Sequence, residues 1–212
     1  ISLCFDIIYI KLSGNQLTGP IPYWLENLEN ISTLWLEKNQ LTGCIPFEIG
    51  NLKNLSTLCL EHKQLTGRIP SEIGKLKPIA ASSNNFRGSI PQTCKNEANL
   101  AMIELSSNLL EGRVPKSLAS CTELKFLNLV SEGIFSSTLG NLIVLESLDL
   151  SNNKLSGQIP QQFGELTSLE FFDVSDNLVI GPIPQGKQFN TFETSSFDGN
   201  PGLCGEPLPK KM

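Results

Sequence analysis

The stretch Leu34-Trp-Leu36-Glu-Lys-Asn39-Gln-Leu41-Thr-Gly43-Cys-Ile45-Pro46 decides the fold, because its pattern returns along the chain. Leucines alternate, an asparagine follows, and a Gly-x-Ile-Pro segment ends the unit. Lys63 and Glu132 replace the asparagine in two copies. The asparagine slots fall at positions 15, 39, 63, 84, 108, 132, 153 and 177, at intervals of 24 or 21 residues. A period of this length predicts a solenoid in which each unit buries its apolar side against its neighbours.

Each part of the repeat has a physical role. Alternating leucines place two apolar side chains on one face of a short strand. The asparagine amide can satisfy backbone groups of the bend that follows. The Gly-x-Ile-Pro segment allows a tight turn and buries one more apolar side chain. The sequence therefore predicts an α/β solenoid with eight parallel strands, on the order of 35 Å long at the usual strand spacing.

One copy is degenerate. Between Leu127 and Ile134 the pattern places Glu132 in the asparagine slot and lacks Gly-x-Ile-Pro. We interpret both 21-residue intervals as repeats that lack three residues of the outer, convex side.

The repeat resembles the plant-type leucine-rich repeat, and the tail is similar to the C-terminal cap of plant receptor-like proteins. The tail residues that carry this similarity are Gly181–Phe192 and Ser196–Gly205. The resemblance implies a right-handed leucine-rich-repeat superhelix over residues 1–184, with a concave parallel sheet and a 3-10 or irregular convex side. Residues 185–212 would form an incomplete cap, since the second cysteine that such caps place after Cys204 is missing. It also implies an extracellular or cell-surface domain without a kinase, whose membrane span lies outside this chain.

Composition excludes several functional classes. Only 17% of the residues are charged, and 16 Lys plus Arg against 21 Asp plus Glu give a net charge of −5, which disfavours nucleic acid as a partner. No apolar run is long enough for a membrane span, and no signal-peptide pattern precedes the first repeat. The one histidine, His62, and carboxylates such as Asp173 and Asp176 do not form a catalytic or metal-binding pattern. We expect no enzyme activity, cofactor or metal.

Partner binding is expected on the exposed face of the concave strands. Strand positions six, four and two residues before the asparagine slot should point outward on this face. Exposed aromatic residues there are typical anchors for protein or peptide ligands. Packing between neighbouring sheet residues is the alternative, and it is equally open for the two phenylalanines. The candidate binding residues are Tyr9, Lys11, Trp35, Glu37, Glu61, Glu104, Phe126, Asn128, Asp149, Phe171 and Asp173.

The charge is unevenly distributed. Residues 1–106 carry nine basic and nine acidic side chains, whereas residues 107–212 carry seven and twelve. An acidic concave surface in the second half favours a basic or neutral partner over a polyanion. Asp149 and Ser151 also fit the repeat consensus, and for these two residues we favour that interpretation, in which they have no binding role.

Cysteines and glycosylation motifs fit an extracellular setting. Cys94 and Cys121 occupy neighbouring repeats on the convex side, where a disulfide bond is geometrically possible. Cys44 and Cys59 lie on different faces and should not pair. The sequons at Asn30 and Asn54 are one repeat apart and are expected at exposed corners.

Three functions fit the sequence. The first is the ligand-sensing ectodomain of a receptor-like protein in defence or development, which binds a protein or peptide and signals through a receptor-kinase co-receptor. The second is an inhibitor of a cell-wall hydrolase such as polygalacturonase, which the receptor-type tail and the repeat number disfavour. The third is ice binding, for which the serine column two residues before the slot would have to be regular. Glu37, Glu61 and Val130 interrupt that column.

Overall fold

The computed structural model describes residues 7–61, 64–92, 100–186 and 188–209. One parallel sheet of eight strands runs through the molecule, with the strands in chain order. This is the concave sheet, and each of its strands begins one coil of the solenoid. The strands that begin coils 1–8 are Tyr9–Lys11, Thr33–Trp35, Thr57–Cys59, Pro78–Ala80, Met102–Glu104, Phe126–Asn128, Ser147–Asp149 and Phe171–Asp173.

A second set of short strands follows the turn after each concave strand and forms the flank of the solenoid. This lateral sheet is split into two parts. In coils 1–5 its strands are Thr18–Pro20, Gln40–Gly43, Gln64–Gly67, Asn85–Gly88 and Leu109–Leu110. Beyond them they are Glu132–Ile134, Lys154–Gly157, Leu178–Pro182 and Gly202–Cys204.

Five-residue 3-10 helices form the convex side. Most follow the proline of the Gly-x-Ile-Pro segment, whose extended conformation positions the helix start. Helices of adjacent coils pack against each other. They span Tyr23–Asn27, Phe47–Asn51, Ser71–Lys75, Lys116–Ser120, Ser137–Asn141 and Gln161–Glu165.

The core is a set of apolar ladders, as the alternating pattern predicts. In coil 7, Leu148 and Leu150 of the strand region, Leu155 of the lateral strand and Ile159 are at most 1% exposed. The same positions are buried in the coils on either side, so each coil covers the next. The α/β solenoid expected from the sequence is confirmed.

Buried asparagines connect consecutive coils. Asn177 donates through Nδ2 to the carbonyls of Val174 (3.0 Å) in its own turn and Leu150 (2.8 Å) in the coil before. Its Oδ1 accepts from the backbone N–H of Leu155 at 2.9 Å. The same bonds are made by the residues of the asparagine ladder, Asn39, Asn84, Asn108, Asn153, Asn177 and Asn200.

Coil 6 corrects our reading of the degenerate repeat. Glu132 pairs with Lys154 at the start of the lateral strand, so it does not occupy an asparagine slot. Gly133, with φ +88°, takes the left-handed position that Gly43 takes in coil 2. Phe135, 7% exposed, fills the core position of Ile45. A degenerate Gly-x-Ile segment is therefore present, with serine in place of proline.

The three residues that coil 6 lacks belong to the asparagine turn, not to the convex side. Leu129 and Gly133 are separated by four positions, whereas Leu36 and Gly43 of coil 2 are separated by seven. The coil consequently has no ladder asparagine. The lateral sheet breaks at the same place, between coils 5 and 6. We call this break the seam.

The other short interval agrees with the expectation. In coil 3 the 3-10 helix Ser71–Lys75 leads almost directly into the strand Pro78–Ala80, so the missing residues are on the convex side.

The segment after residue 184 covers the C-terminal end of the core. Asn200 adds a further ladder residue, and Gly202–Cys204 pairs in parallel with the lateral strand of coil 8. Phe189, Phe192 and Phe197 surround Phe172 at ring-centroid distances of 4.9, 5.7 and 5.8 Å. The two 3-10 helices of this segment are Phe189–Thr191 and Thr194–Phe197.

Candidate functional site

The concave sheet aligns the candidate residues in the rows that their repeat positions predict. Tyr9 pairs with Thr33, and Lys11 with Trp35. In the second half, Phe126 pairs with Met102 and Ser147. Asn128, Asp149 and Asp173 follow one another in the row that begins with Lys11. The register therefore places all the expected strand residues on one solvent-facing surface, with Glu37 and Glu61 just beyond their strands.

A shallow depression of about 350 Å³ lies over coils 5–8. Phe126 and Phe171, 44% and 47% exposed, flank it from coils 6 and 8. Ser147 lies between them in register, so the small side chain leaves space between two rings. Other lining residues include Met102, Glu104, Asn128 and Asp149. We call this feature the C-terminal depression.

Local hydrogen bonds fix the carboxylates around the C-terminal depression. Glu104 Oε1 accepts from the backbone N–H of Ser106 at 3.2 Å and from its hydroxyl. Asp149 Oδ1 accepts from the backbone N–H of Ser151 at 3.0 Å, and its Oδ2 accepts from Asn128 Nδ2 at 3.2 Å. Such bonds orient the carboxylates, so the rim of the depression carries acidic side chains in fixed positions.

A second group of candidate residues lies over coils 1–3. Lys11 Nζ lies 5.5 Å from the centroid of the Trp35 ring, a cation–π distance. Trp35 is half-buried and Tyr9 is 67% exposed. Glu37 and Glu61 are half-buried, and Oε2 of Glu37 has no hydrogen-bond partner among the described residues. We call Trp35, Glu37, Cys59 and Glu61 the N-terminal acidic cluster.

The thiol of Cys59 reports on the electrostatics of this cluster. Burial, and next the negative charges of Glu37 and Glu61, raise the pKa of Cys59 to about 11. A hydrogen bond with Trp35 opposes the shift. Both carboxylates therefore act on the same sulfur atom, in surroundings of low polarity and negative potential.

Sequence reasoning named two of the concave rows correctly but missed some members of the site. Met102 and Ser147 line the C-terminal depression and were not among the candidates, although they belong to the same row as Phe126. Cys59 belongs to the row of Trp35 and was likewise not among the candidates. Their repeat positions place all three on the outward face, but the pattern did not distinguish them from the other residues of their rows.

The sequons and the described cysteines other than Cys59 lie away from both features. Asn30 and Asn54 are exposed and flank a shallow groove with Ile8 and Ser32. Glycosylation at these sites stays a prediction. Cys44, Cys59 and Cys204 are free thiols, and Cys121 is disulfide-bonded. Its expected partner, Cys94, lies outside the described residues, as does His62.

The described ranges contain neither a group of metal-binding side chains nor a helix that could span a membrane. No three His, Cys, Asp or Glu side chains are grouped so that they could hold a metal ion. No helix among these residues combines the length and apolar character needed to cross a membrane.

The fold and the repeat define a class of protein, the leucine-rich-repeat solenoids. The Leucine Rich Repeat family model matches residues 6–28, 30–52 and 144–166. Over 26 residues, which are 12% of this chain and 2% of the relative, the sequence is 65% identical to Receptor-like protein 13 of Arabidopsis thaliana.

Solved structures of plant receptors are similar over nearly the full length of the chain. The ectodomain of the Arabidopsis thaliana receptor kinase GASSHO1/SCHENGEN3, in complex with CASPARIAN STRIP INTEGRITY FACTOR 2, matches with a TM-score of 0.93 and 38% identity, covering 99% of this chain and 26% of that one. The Arabidopsis receptor kinase HAESA, in complex with the peptide hormone IDA and the co-receptor SERK1, matches with a TM-score of 0.88 and 36% identity, covering 99% and 36%.

A plant ice-binding protein is also similar, with a TM-score of 0.68 and 29% identity over 98% of this chain and 61% of that one.

The chain spans about a quarter to a third of the two receptor structures. The repeat, the fold and these similarities identify it as a leucine-rich-repeat solenoid of the plant receptor-like type. Its setting is the extracellular space or the cell surface, as for the receptor ectodomains that it resembles.

Proposed function

We propose that the chain is the ligand-binding part of a plant receptor-like protein that acts in defence or developmental signalling. It binds a peptide or protein segment on the concave sheet. The observation that carries this proposal is the C-terminal depression, where Phe126 and Phe171 are held in register, exposed, and surrounded by oriented carboxylates.

Exposure of these aromatic rings to water costs free energy unless a ligand covers them. Two half-exposed aromatic rings beside a small residue form an apolar recess, and burial of such rings is a common source of binding energy in protein interfaces. The oriented carboxylates at the rim select against acidic partners. The similar receptors are seen with a peptide hormone and with a co-receptor, which supports the same two kinds of partner here.

One of the similar receptors, HAESA, is seen with the co-receptor SERK1 as well as with its peptide. By analogy, we expect this chain to signal through a receptor-kinase co-receptor that binds the occupied solenoid. A leucine-rich-repeat inhibitor of polygalacturonase is the main alternative, and its ligand would be the hydrolase itself.

The test is a binding screen of the secreted chain against plant receptor-kinase ectodomains and secreted plant peptides, with polygalacturonase inhibition measured in parallel. The double variant Phe126→Ala/Phe171→Ala should reduce binding of a true ligand at least tenfold. Phe47→Ala is the matched control, because Phe47 is 67% exposed but lies at the start of a convex 3-10 helix.

The outcomes separate the functional classes. Binding of a peptide or a kinase ectodomain that depends on Phe126 and Phe171 supports the proposal. Inhibition of polygalacturonase would assign the chain to the inhibitors instead. Thermal hysteresis in an ice-growth assay would assign it to the ice-binding proteins, for which the interrupted serine column gives little support.

A further inference from the structure

The N-terminal acidic cluster and the C-terminal depression lie on the same sheet but have different chemistry. Lys11, Trp35 and Cys59 follow one another in one row of coils 1–3. Glu37 and Glu61 each lie two residues further along, on the same face as Trp35 and Cys59. Aromatic surface and negative charge therefore meet over coils 2 and 3, four coils away from Phe126.

Within the molecule, a cation already occupies part of this cluster. The Lys11 ammonium lies over the Trp35 ring without forming a salt bridge among the described residues. The carboxylates next to the ring also lack a cation: neither Glu37 nor Glu61 forms an ion pair with a described residue, and Glu37 Oε2 is buried and unpartnered. An unpaired buried carboxylate oxygen costs free energy, and a cationic side chain bound beside Glu37 would offset part of that cost through its charge.

The side chains on the concave sheet between the N-terminal acidic cluster and the C-terminal depression are small. Coil 4 has small or compact side chains at these positions: Pro78 is half-buried, Ala80 is buried, and Ser82 lies beyond the strand. Trp35 on one side, and Met102 with Phe126 on the other, are larger. A chain lying across the sheet would therefore have room over coil 4 and a side-chain contact on each side of it.

We propose that the ligand is an extended peptide segment in which a basic side chain, bound by Trp35, Glu37 and Glu61, is separated by about six residues from a bulky apolar side chain in the C-terminal depression. This inference rests on the proposed function and specifies its ligand. Four to five coils at the usual strand spacing span about 19–24 Å. An extended chain covers that distance in about six to seven residues.

Selection from a random library tests the spacing without a known ligand. A phage-displayed library of twelve-residue peptides is panned against the intact chain and sequenced. We expect enrichment of Arg or Lys six to seven positions from Phe, Leu, Met or Trp. Enriched peptides without this pair would overturn the inference but leave the proposed function standing. Failure to enrich any peptide would contradict both.

Protein variants test which residues bind the basic side chain. With a selected peptide labelled by fluorescein, Trp35→Ala and Glu37→Gln/Glu61→Gln should each weaken binding about tenfold. Replacing the basic residue of the peptide by neutral citrulline should abolish most of these losses. A loss that persists with the citrulline peptide would show that the variants act through the fold, and would overturn the assignment.

Two further variants sharpen the result. Lys11→Gln removes a cation that competes for the Trp35 ring, so binding of the basic peptide should become about two- to fivefold tighter. Glu48→Gln is the matched control, since Glu48 is a half-buried carboxylate on a convex helix and should leave the affinity unchanged. Equal effects of the control and the cluster variants would indicate a general charge effect and contradict a specific site.

Discussion

Each ladder asparagine satisfies backbone groups in two coils with one side chain. Asn177 is 3% exposed, whereas Asn15 in coil 1 is exposed and, among the described residues, bonds within its own turn to the carbonyls of Leu12 and Ser13. The same residue type therefore has a different energetic role in an exposed turn and in the buried ladder.

Replacing Asn177 by alanine should destabilise the fold by about 1–3 kcal/mol, because it leaves the Leu155 N–H buried without its partner. The carbonyls of Leu150 and Val174 each lose one bond but still accept from Asn153 and Asn200. Asn15→Ala should cost less than about 1 kcal/mol. Urea unfolding followed by circular dichroism measures both. Equal losses at the two sites would contradict the buried-bond explanation.

The raised pKa of Cys59 gives a second prediction for a single residue. A thiol whose pKa is about 11 is almost entirely protonated at pH 8.5 and reacts slowly, since the thiolate is the nucleophile. Iodoacetamide at that pH should modify the exposed Cys44 well before Cys59, as measured by peptide mass spectrometry. The rate at Cys59 should rise as the pH approaches 11. Rapid labelling of Cys59 at pH 8.5 would contradict the low-polarity, negative surroundings described for the cluster.

Strands of this solenoid present opposite chemistry on their two faces. In coil 8, Phe171 is 47% exposed on the concave surface, while the next residue, Phe172, is 1% exposed among the aromatic rings of the C-terminal segment. One strand therefore contributes both to the candidate site and to the closure of the core.

This pair provides a matched test within one strand. Phe172→Ala should cost about 3–5 kcal/mol of stability, because it removes the ring that three other phenylalanines contact. Phe171→Ala should change stability by less than about 1 kcal/mol and should weaken ligand binding. Thermal unfolding and a binding assay on both variants distinguish the roles. A large stability loss in Phe171→Ala would mean that its ring serves packing.

The rows of the concave sheet could be predicted because the sequence has two periods, the two-residue alternation of a strand and the 24-residue repeat. Alternation along each strand sets the face, and the 24-residue repeat sets the neighbours, so Trp35 and Phe126 were placed correctly. Coil 6 was misread because one 24-residue repeat after Asn108 falls on Glu132, which was taken as the asparagine slot. Aligning Gly133, which has a positive φ, with the glycine of the other repeats would have given the correct register. The contacts of Glu37 and Cys59 depend on side-chain rotamers, which a repeat pattern does not specify.

At the scale of the whole molecule, the concave sheet is continuous but the flank is not. The seam separates the lateral strands of coils 1–5 from those beyond, and Glu132 bridges it by a backbone bond to the Gly112 carbonyl and a carboxylate bond from the Gly112 N–H, both 3.0 Å. These two hydrogen bonds at Glu132 replace the regular strand pairing that the lateral sheet has on either side of the seam.

Hydrogen exchange should therefore be fastest at the seam. Peptides that cover residues 109–112 and 130–134 should exchange their amide hydrogens sooner than the equivalent lateral strands at residues 154–157 and 178–182, since local opening there breaks fewer contacts. Mass spectrometry of the native chain measures the difference. Uniform exchange along the flank would contradict it.

The position of the seam has a mechanical consequence. Met102 of coil 5 and Phe126 of coil 6 both line the C-terminal depression, so a segment bound there lies across the break while the flank beneath it is interrupted. If local opening is easiest at the seam, as the exchange prediction holds, a segment bound in the depression would hold together the two halves of the flank.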